Sequence, residues 1–420
     1  MSKKIDPRLP QDIGKEGLPT RAAISSPWGR LYNARETYEY LSRLQGTFTA
    51  LFFEAFRILM PDYDERCNML CKRAYEKGRA PWAQPGQEMG LAWYNIPPFM
   101  GGTCLAGVCG DHGDEMLLTP GRVNDFGAYR VEKELDVCPL DIVGSELCRC
   151  TTCTLQGVGD GMETVQGGPH LELNMVEALC CGDLHCRLVA ECRDVYPLEG
   201  SEDKQPMDVY GPIATADRIR DTNEDNLIYE AEALREDTGY RFESALAQEF
   251  NVGEAFRDSL HTIIRDFGTI HSNSFIEAAV ETGRLKEEDI KNAVRWVFEG
   301  AGKAMFSETF AKEGLRSWLG VPRDVDDGRL LGGYIEVVLQ TLRVPYEVEA
   351  FNKDEVVYLI DRDDIVKHVP MLPDALVSMW YGMARTLINH RWFVWEEKND
   401  DTPDSILRLK IARKIDKRCS

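Results

Sequence analysis

Apolar residues recur at helical spacing from Thr37 to Met60, where Leu41, Leu44, Phe48, Leu51, Phe52, Phe56 and Leu59 form one stripe. A second helix is predicted from about Asp64 to Lys77, with Asp64 as its N-cap and Gly78 as its stop. Residues 81–125 are rich in Gly, Pro and aromatics and read as loops, after which Tyr129–Cys138 reads as a strand running into Pro139. The segment Leu171–Leu179 alternates apolar and polar, and Arg187–Cys192 is its partner strand. Cys181, Gly182 and Asp183 between them have a turn composition, so the pair is a hairpin. Helical spacing returns over 226–320, and strands are expected around 334–360 and 384–397.

This order predicts an α+β chain with four parts: an extended N-terminal arm over 1–32, a first domain over 33–194, an acidic linker over 195–225, and a second domain over 226–420. Each half runs helices, a Gly-rich segment, strands and a final hairpin, which suggests an internal repeat. In that alignment Met175–Asp194 lies against Met383–Asp400, so Glu177, Cys180 and Cys186 become Arg385, Ile388 and Trp392. Earlier, Tyr75–Gly78 lies against Phe298–Ala301. The second copy would then be degenerate, keeping the fold without the cysteines.

Cysteine changes the picture. Of 13 cysteines, all but Cys419 lie between Cys67 and Cys192. A small buried hydrophobe would be spread through both halves, so this distribution points to metal binding or thiol chemistry in the first. No apolar stretch follows the N-terminal lysines, and no run approaches the roughly 18 apolar residues of a membrane span. A cytoplasmic chain with reduced thiols and no membrane partner is expected. The net charge of −21 argues against nucleic acid, and the one basic run, Arg408–Arg418, reads as a solvated terminal helix.

A thiolate on each side of the tight turn can grip one cation, and Glu177 stands three residues before Cys180. Glu146-Leu-Cys148-Arg-Cys150-Thr-Thr-Cys153 adds a C-x-C-x2-C cluster, with Cys150 and Cys153 at chelating spacing. Zinc suits such soft ligands with one hard oxygen. Buried free thiols are the plainer alternative. Elsewhere, Cys109-Gly-Asp111-His112-Gly-Asp114-Glu115 sets a histidine among carboxylates, fit for general acid–base work or simply a solvated acidic turn.

Glu177-x-x-Cys180 followed by Gly182-Asp183-x-x-Cys186-Arg187 resembles the end of the 4-vinyl-reductase domain of phenol-sensing activators. That resemblance implies zinc held by Cys153, Glu177, Cys180 and Cys186, with Cys181 as an alternative to Cys180. A second resemblance covers about 65–193. Cys138-Pro139, Glu146-Leu147-Cys148 with Cys153, the Asn174 region and Gly182-Asp183-x-x-Cys186 stand, in that order, as in the L-2-amino-thiazoline-4-carboxylate hydrolase-like family. The chain departs from it in a long insertion around 95–128, in extra cysteines and in its whole second half.

Together these imply two related 4-vinyl-reductase-like domains and a hydrolase acting on a small cyclic or aromatic molecule, compatible with a homo-oligomer. If the zinc is catalytic it would activate water, with His112 or Asp183 moving the proton. If it is structural, a thiolate such as Cys138 or Cys148 would act. The alternatives are a non-catalytic small-molecule binding protein and an iron–sulfur redox protein. The cysteine spacings match no ferredoxin-type run.

Overall fold

The computed structural model describes residues 3–5, 7, 24–32, 34–82, 121–126, 130–135, 144–166, 172–191, 272–366, 369–398 and 402–413. In chain order the elements are β1 (Lys3–Ile5), β2 (Ile24–Ser25), β3 (Leu31–Tyr32), α1 (Ala34–Leu59) and α2 (Tyr63–Trp82). Next come β4 (Gly121–Phe126), β5 (Arg130–Leu135), α3 (Ser145–Gln166), β6 (Glu172–Glu177) and β7 (Cys186–Glu191). There follow α4 (Glu287–Met305), α5 (Thr309–Leu319), α6 (Gly328–Thr341), β8 (Tyr346–Phe351), β9 (Glu355–Asp361), α7 (Arg362–Val366), α8 (Leu372–Leu387), β10 (Trp392–Glu396) and β11 (Ile406–Arg413). The fold is α+β, with antiparallel sheets. Among the described residues no helix is long and apolar enough to cross a membrane.

Two compact units divide the chain. A cysteine-rich unit holds 42–50 and 60–281, and a carboxy-terminal unit holds 1–41, 51–59 and 282–420. In the cysteine-rich unit the strand order is β4-β5-β7-β6, all neighbours antiparallel. In the carboxy-terminal unit it is β1-β8-β9-β11-β10. Without β1 the two sheets are the same, a hairpin whose second strand pairs the last strand of a second hairpin. A helix before the first hairpin and one between the hairpins also correspond, α2 and α3 in the one unit and α4 and α8 in the other, while α5, α6 and α7 are additional in the carboxy-terminal unit.

The match reaches single residues. β4 and β5 pair Gly121 with Leu135 and slip register between Val123 and Asp125. β8 and β9 pair Tyr346 with Ile360 and slip between Val348 and Ala350, at the same place. α2 and α3 run parallel at very close range. A Cβ on Gly78 would lie 2.1 Å from the Thr154 carbonyl oxygen, and one on Gly157 2.2 Å from that of Tyr75. α4 and α8 repeat this, with Gly302 at 2.0 Å from the Met379 oxygen and Gly382 at 2.2 Å from that of Glu299. Gly78 is therefore not the helix stop that its position suggested. It sits inside α2 because only a residue without Cβ lets the second backbone approach.

The shared topology agrees with the expected order of elements, but the proposed pairing of the final hairpins does not survive. Met383–Leu387 is the end of α8, so it cannot match strand β6, whose counterpart is β10. The correspondences of Glu177, Cys180 and Cys186 with Arg385, Ile388 and Trp392 fall with it. The earlier alignment is one residue out, since Gly78 corresponds to Gly302. Residues 334–341, expected as strand, are the end of α6, and 121–125, expected as loop, lie in β4.

The described part of the N-terminal segment joins the carboxy-terminal unit. β1 lies along β8, with Lys3 opposite Val348. The β2–β3 hairpin is held by Ser26 Oγ donating to the Leu319 carbonyl at 2.7 Å and by the Gln340 side chain, which bonds Ser25 through both its oxygen and its nitrogen. The core of this unit forms around α6, buried along nearly its whole length, with Trp380, Trp392, Tyr358 and Phe298 fully enclosed. Glu336 is buried there and accepts hydrogen bonds from Tyr346 Oη at 3.1 Å and Tyr358 Oη at 3.0 Å. Those donors remove most of the cost of burying a carboxylate.

Two neighbouring glycines of α4 test the helix packing. Gly302→Ala should destabilise the protein by about 1–3 kcal/mol, because its Cβ meets a backbone carbonyl that cannot rotate away. A Cβ on Gly300 meets nothing within 4 Å, so Gly300→Ala should stabilise by about 0.5–1 kcal/mol through helix propensity. Urea unfolding of the two variants checks the pair, and equal effects would reject the close approach.

Candidate metal centre

Helix geometry sorts the cysteines of α3. At about 100° per residue, Cys150 and Cys153 are about 60° apart around the axis, whereas Cys148 is about 140° from Cys153. Cys148 therefore faces one side of α3 and the pair Cys150 and Cys153 another. The parallel packing against α2 decides what the pair meets. Arg66 pairs Glu146 at the start of both helices, Tyr75 Oη donates to Asp160 at 2.6 Å further along, and the glycine contacts lie between. This register sets Cys67 and Cys71, one turn apart on α2, opposite Cys150 and Cys153. The Cys71 sulfur is hydrogen-bonded by both the Cys150 and Cys153 thiols. Those two bonds hold Cys71 well below its ordinary pKa, and the nearby Arg149 guanidinium adds to the effect. Cys150 is pushed up, first by its bond to Cys71 and then by burial, and burial raises Cys67.

The other face of α3 meets the hairpin. β6 and β7 pair in register until a slip between Met175 and Glu177. Such a bulge re-aims the side chains that follow it. Leu179–Cys181 then form a single 3-10 turn closed by Gly182, whose φ of 95° is the left-handed region that glycine enters without strain. Asp183 Oδ2 accepts from the Ala178 amide at 2.8 Å and ties the tip together. The Leu179 amide donates to Cys186 Sγ at 3.3 Å and fixes the direction of that side chain. Cys148 Sγ lies 3.1 Å from Cys180 Sγ, and Cys181 Sγ lies 3.9 Å from Cys180 Sγ. Cys148 and Cys180 pack on the small core formed by Ala178 and the buried Cys186. Burial raises the Cys180 thiol.

The expected ligand set is thus only partly brought together. Cys180 and Cys186 share the hairpin core. Cys153 turns instead to Cys71, for the angular reason given above. Glu177 is engaged by Arg187, whose Nε and Nη2 both donate at 3.3 Å, and by His185 Nε2 at 2.7 Å. His185 also approaches Glu134 at 3.4 Å. Of the expected catalytic residues, Cys148 meets Cys180 and Asp183 serves the turn, while His112 and Cys138 lie outside the described residues. Cys71 and Cys67 were not expected in any site. Their i, i+4 spacing on an amphipathic helix was the signal, and it had no partner until the α2–α3 register was known.

None of the described cysteines forms a disulfide. As the side chains stand, no three His, Cys, Asp or Glu groups among the described residues surround a common point closely enough to hold a metal ion. No family model, curated protein or solved structure matches the chain.

Near the start of α2 and α3 lies a buried ion pair. Arg66 Nε and Nη2 bond the two Glu146 oxygens at 2.8 and 2.5 Å, and Arg66 Nη1 donates to the Met60 carbonyl at 2.6 Å. Both side chains are about a tenth exposed or less. In the carboxy-terminal unit the equivalent positions carry Ile290 and Met371, both buried. Arg66→Ile alone should cost about 3–5 kcal/mol, since it leaves a buried carboxylate unpaired. The double variant Arg66→Ile with Glu146→Met should recover most of that loss. Chemical denaturation of the three proteins measures it; a double variant as unstable as the single would show that the pair is not replaceable by apolar packing.

Proposed function

We propose that the chain is a zinc-containing enzyme acting on a small cyclic or aromatic organic molecule, by hydrolysis or hydration. One juxtaposition carries the metal part: Cys148 reaches across from α3 to Cys180 at 3.1 Å, with Cys186 in the same small core and Cys181 beside it. The donor chemistry fits, because clustered thiols suit a soft divalent cation. Cys148, Cys180 and Cys186 would hold the ion, with Cys181 as the fourth ligand. Zinc so held would fill a closed, four-coordinate structural site and cross-link the hairpin tip to α3. The Leu179 amide orients the Cys186 sulfur, and the Asp183 carboxylate preserves the turn that presents Cys180.

The reaction class rests on the resemblance of residues 65–193 to the L-2-amino-thiazoline-4-carboxylate hydrolase-like family. In this reading His112 moves the proton and Cys138 is the candidate nucleophile. A second reading has an observation in its favour. Asp183 is bonded to the Ala178 amide and Cys148 is in contact with Cys180, so both described catalytic candidates have structural roles. That favours a non-catalytic small-molecule binding protein of the 4-vinyl-reductase kind.

The full chain purified without chelator should contain zinc, and Cys186→Ser should lose the hairpin's equivalent, as read by elemental analysis. Incubation with 2-amino-thiazoline-4-carboxylate and related cyclic compounds should give ring-opened or hydrated product by mass spectrometry. His112→Ala should slow that turnover by about 10²–10⁴-fold. Saturable binding by calorimetry with no product would replace the enzyme reading with the binding one. Absence of zinc from the wild-type protein would remove the metal.

A further inference from the structure

We propose that Cys67, Cys71, Cys150 and Cys153 form a second metal site, a four-thiolate zinc site between α2 and α3. It is separate from the hairpin group and does not depend on it. The four sulfurs come from two facing helices, as an i, i+4 pair and an i, i+3 pair, and each spacing keeps its two side chains on one helix face. The register that brings the pairs together is fixed independently of the thiols by the Arg66–Glu146 and Tyr75–Asp160 bonds and by the Gly78 and Gly157 contacts. Within that frame Cys71 and Cys150 each stand seven residues, two helical turns, before the contact glycine of their own helix, Gly78 or Gly157, so both lie on the facing sides of the helix pair.

The carboxy-terminal unit shows that the fold does not need sulfur there. With Gly78 matched to Gly302 and Gly157 to Gly382, the positions of Cys67, Cys71, Cys150 and Cys153 are occupied by Lys291, Arg295, Ala375 and Ser378. Arg295 even forms an ion pair with Asp374 at 3.3 Å in the place where Cys71 approaches Arg149. The same helix packing thus accommodates two large charged residues on one helix and two small residues on the other. Space filling does not select four cysteines, whereas a shared cation does.

Burial suits the role. Cys67 and Cys150 are 6% and 0% exposed, which shields the metal–sulfur bonds, while Cys71 and Cys153 are half-buried and leave an entry path. The sulfurs do not yet surround one point. Cysteine has a single side-chain torsion, so closure on the ion asks for thiol rotation on helices whose backbones are already fixed in register. Zinc replaces the thiol protons, one for each thiolate formed, and draws the sulfurs to about 2.3 Å from the metal.

The experiment uses the full chain, with zinc alone as the probe. Cys71→Ser with Cys150→Ser should lose one zinc per chain and keep the hairpin's equivalent, whereas Cys180→Ser with Cys186→Ser should lose only the hairpin's. Replacement of zinc by cobalt(II) in the wild type should give thiolate-to-metal charge-transfer absorption that the first variant loses in part. A variant that misfolds leaves a second measurement on unaltered protein. Alkylation mapped by mass spectrometry should find Cys71 and Cys153 protected in the zinc-loaded protein and labelled together once a chelator removes the metal. Full zinc content in the Cys71→Ser, Cys150→Ser protein overturns the proposal, and so does labelling of Cys71 and Cys153 that ignores zinc. Iron with acid-labile sulfide bound through the same four residues would overturn the mononuclear assignment.

Discussion

Two parallel helices in backbone contact set the chemistry of the cysteine-rich unit. At Gly78 and Gly157 the separation of α2 and α3 is so small that a methyl group would strike a carbonyl oxygen. Such contact resists sliding, because the preceding turn of each helix carries a side chain, Ala74 or Cys153, where the glycine leaves none. Register follows from it, and the distribution of sulfur follows from register. Cys150 and Cys153 turn toward α2, where Cys67 and Cys71 wait, and Cys148 turns toward the hairpin. A shift of one residue along either helix would disperse the group between them.

The carboxy-terminal unit uses the same glycine contacts and the same sheet order for a different interior. Its helix pair opens with apolar Ile290 and Met371 where the cysteine-rich unit buries Arg66 and Glu146. One of its buried carboxylates, Glu336, stands on α6 and is satisfied by tyrosines from β8 and β9. One topology therefore carries two kinds of core. The ion pair adds little net stability where apolar residues could stand, but its bidentate geometry is directional. It aligns the N-terminal ends of α2 and α3, one turn from the sulfurs.

Periodicity made the helices around Phe48 and Val294 and the β6–β7 hairpin legible, because each places one apolar face against a core. The α+β class and the shared order of elements came from the same signal. Three things were hidden, each for a physical reason. Gly78 reads as a stop because propensity cannot distinguish a helix end from a helix contact. α6 reads as strand because a helix buried on all sides has no polar face to show its period. The hairpin alignment slipped because the apolar end of α8, running into β10, reads like a strand and turn, whereas the second hairpin is β10 with β11. For the site, spacing identified Cys180 with Cys186 and Cys150 with Cys153 as pairs, but grouped Cys153 with the hairpin. Sequence distance carries no angle, and the angle around α3 separates Cys153 from Cys148.

That separation explains why the two sulfur groups respond to different changes. The hairpin group is built by a turn: the left-handed Gly182, the Asp183 carboxylate on the Ala178 amide and the Leu179 amide on Cys186 are all local. Only Cys148 comes from elsewhere. The helix group has no local turn of its own. Its four residues are ordinary helical positions, and they meet only because distant glycines and a buried ion pair hold two helices in one register. Loosening the tip by a change at Gly182 or Asp183 disperses Cys180, Cys181 and Cys186 while leaving Cys71 against Cys150. A change at Gly157 does the reverse. Two groups so close in sequence, with Cys148 and Cys150 two residues apart, are thus mechanically independent. α3 is the rigid partition between them, presenting Cys148 to the hairpin and Cys150 with Cys153 to α2.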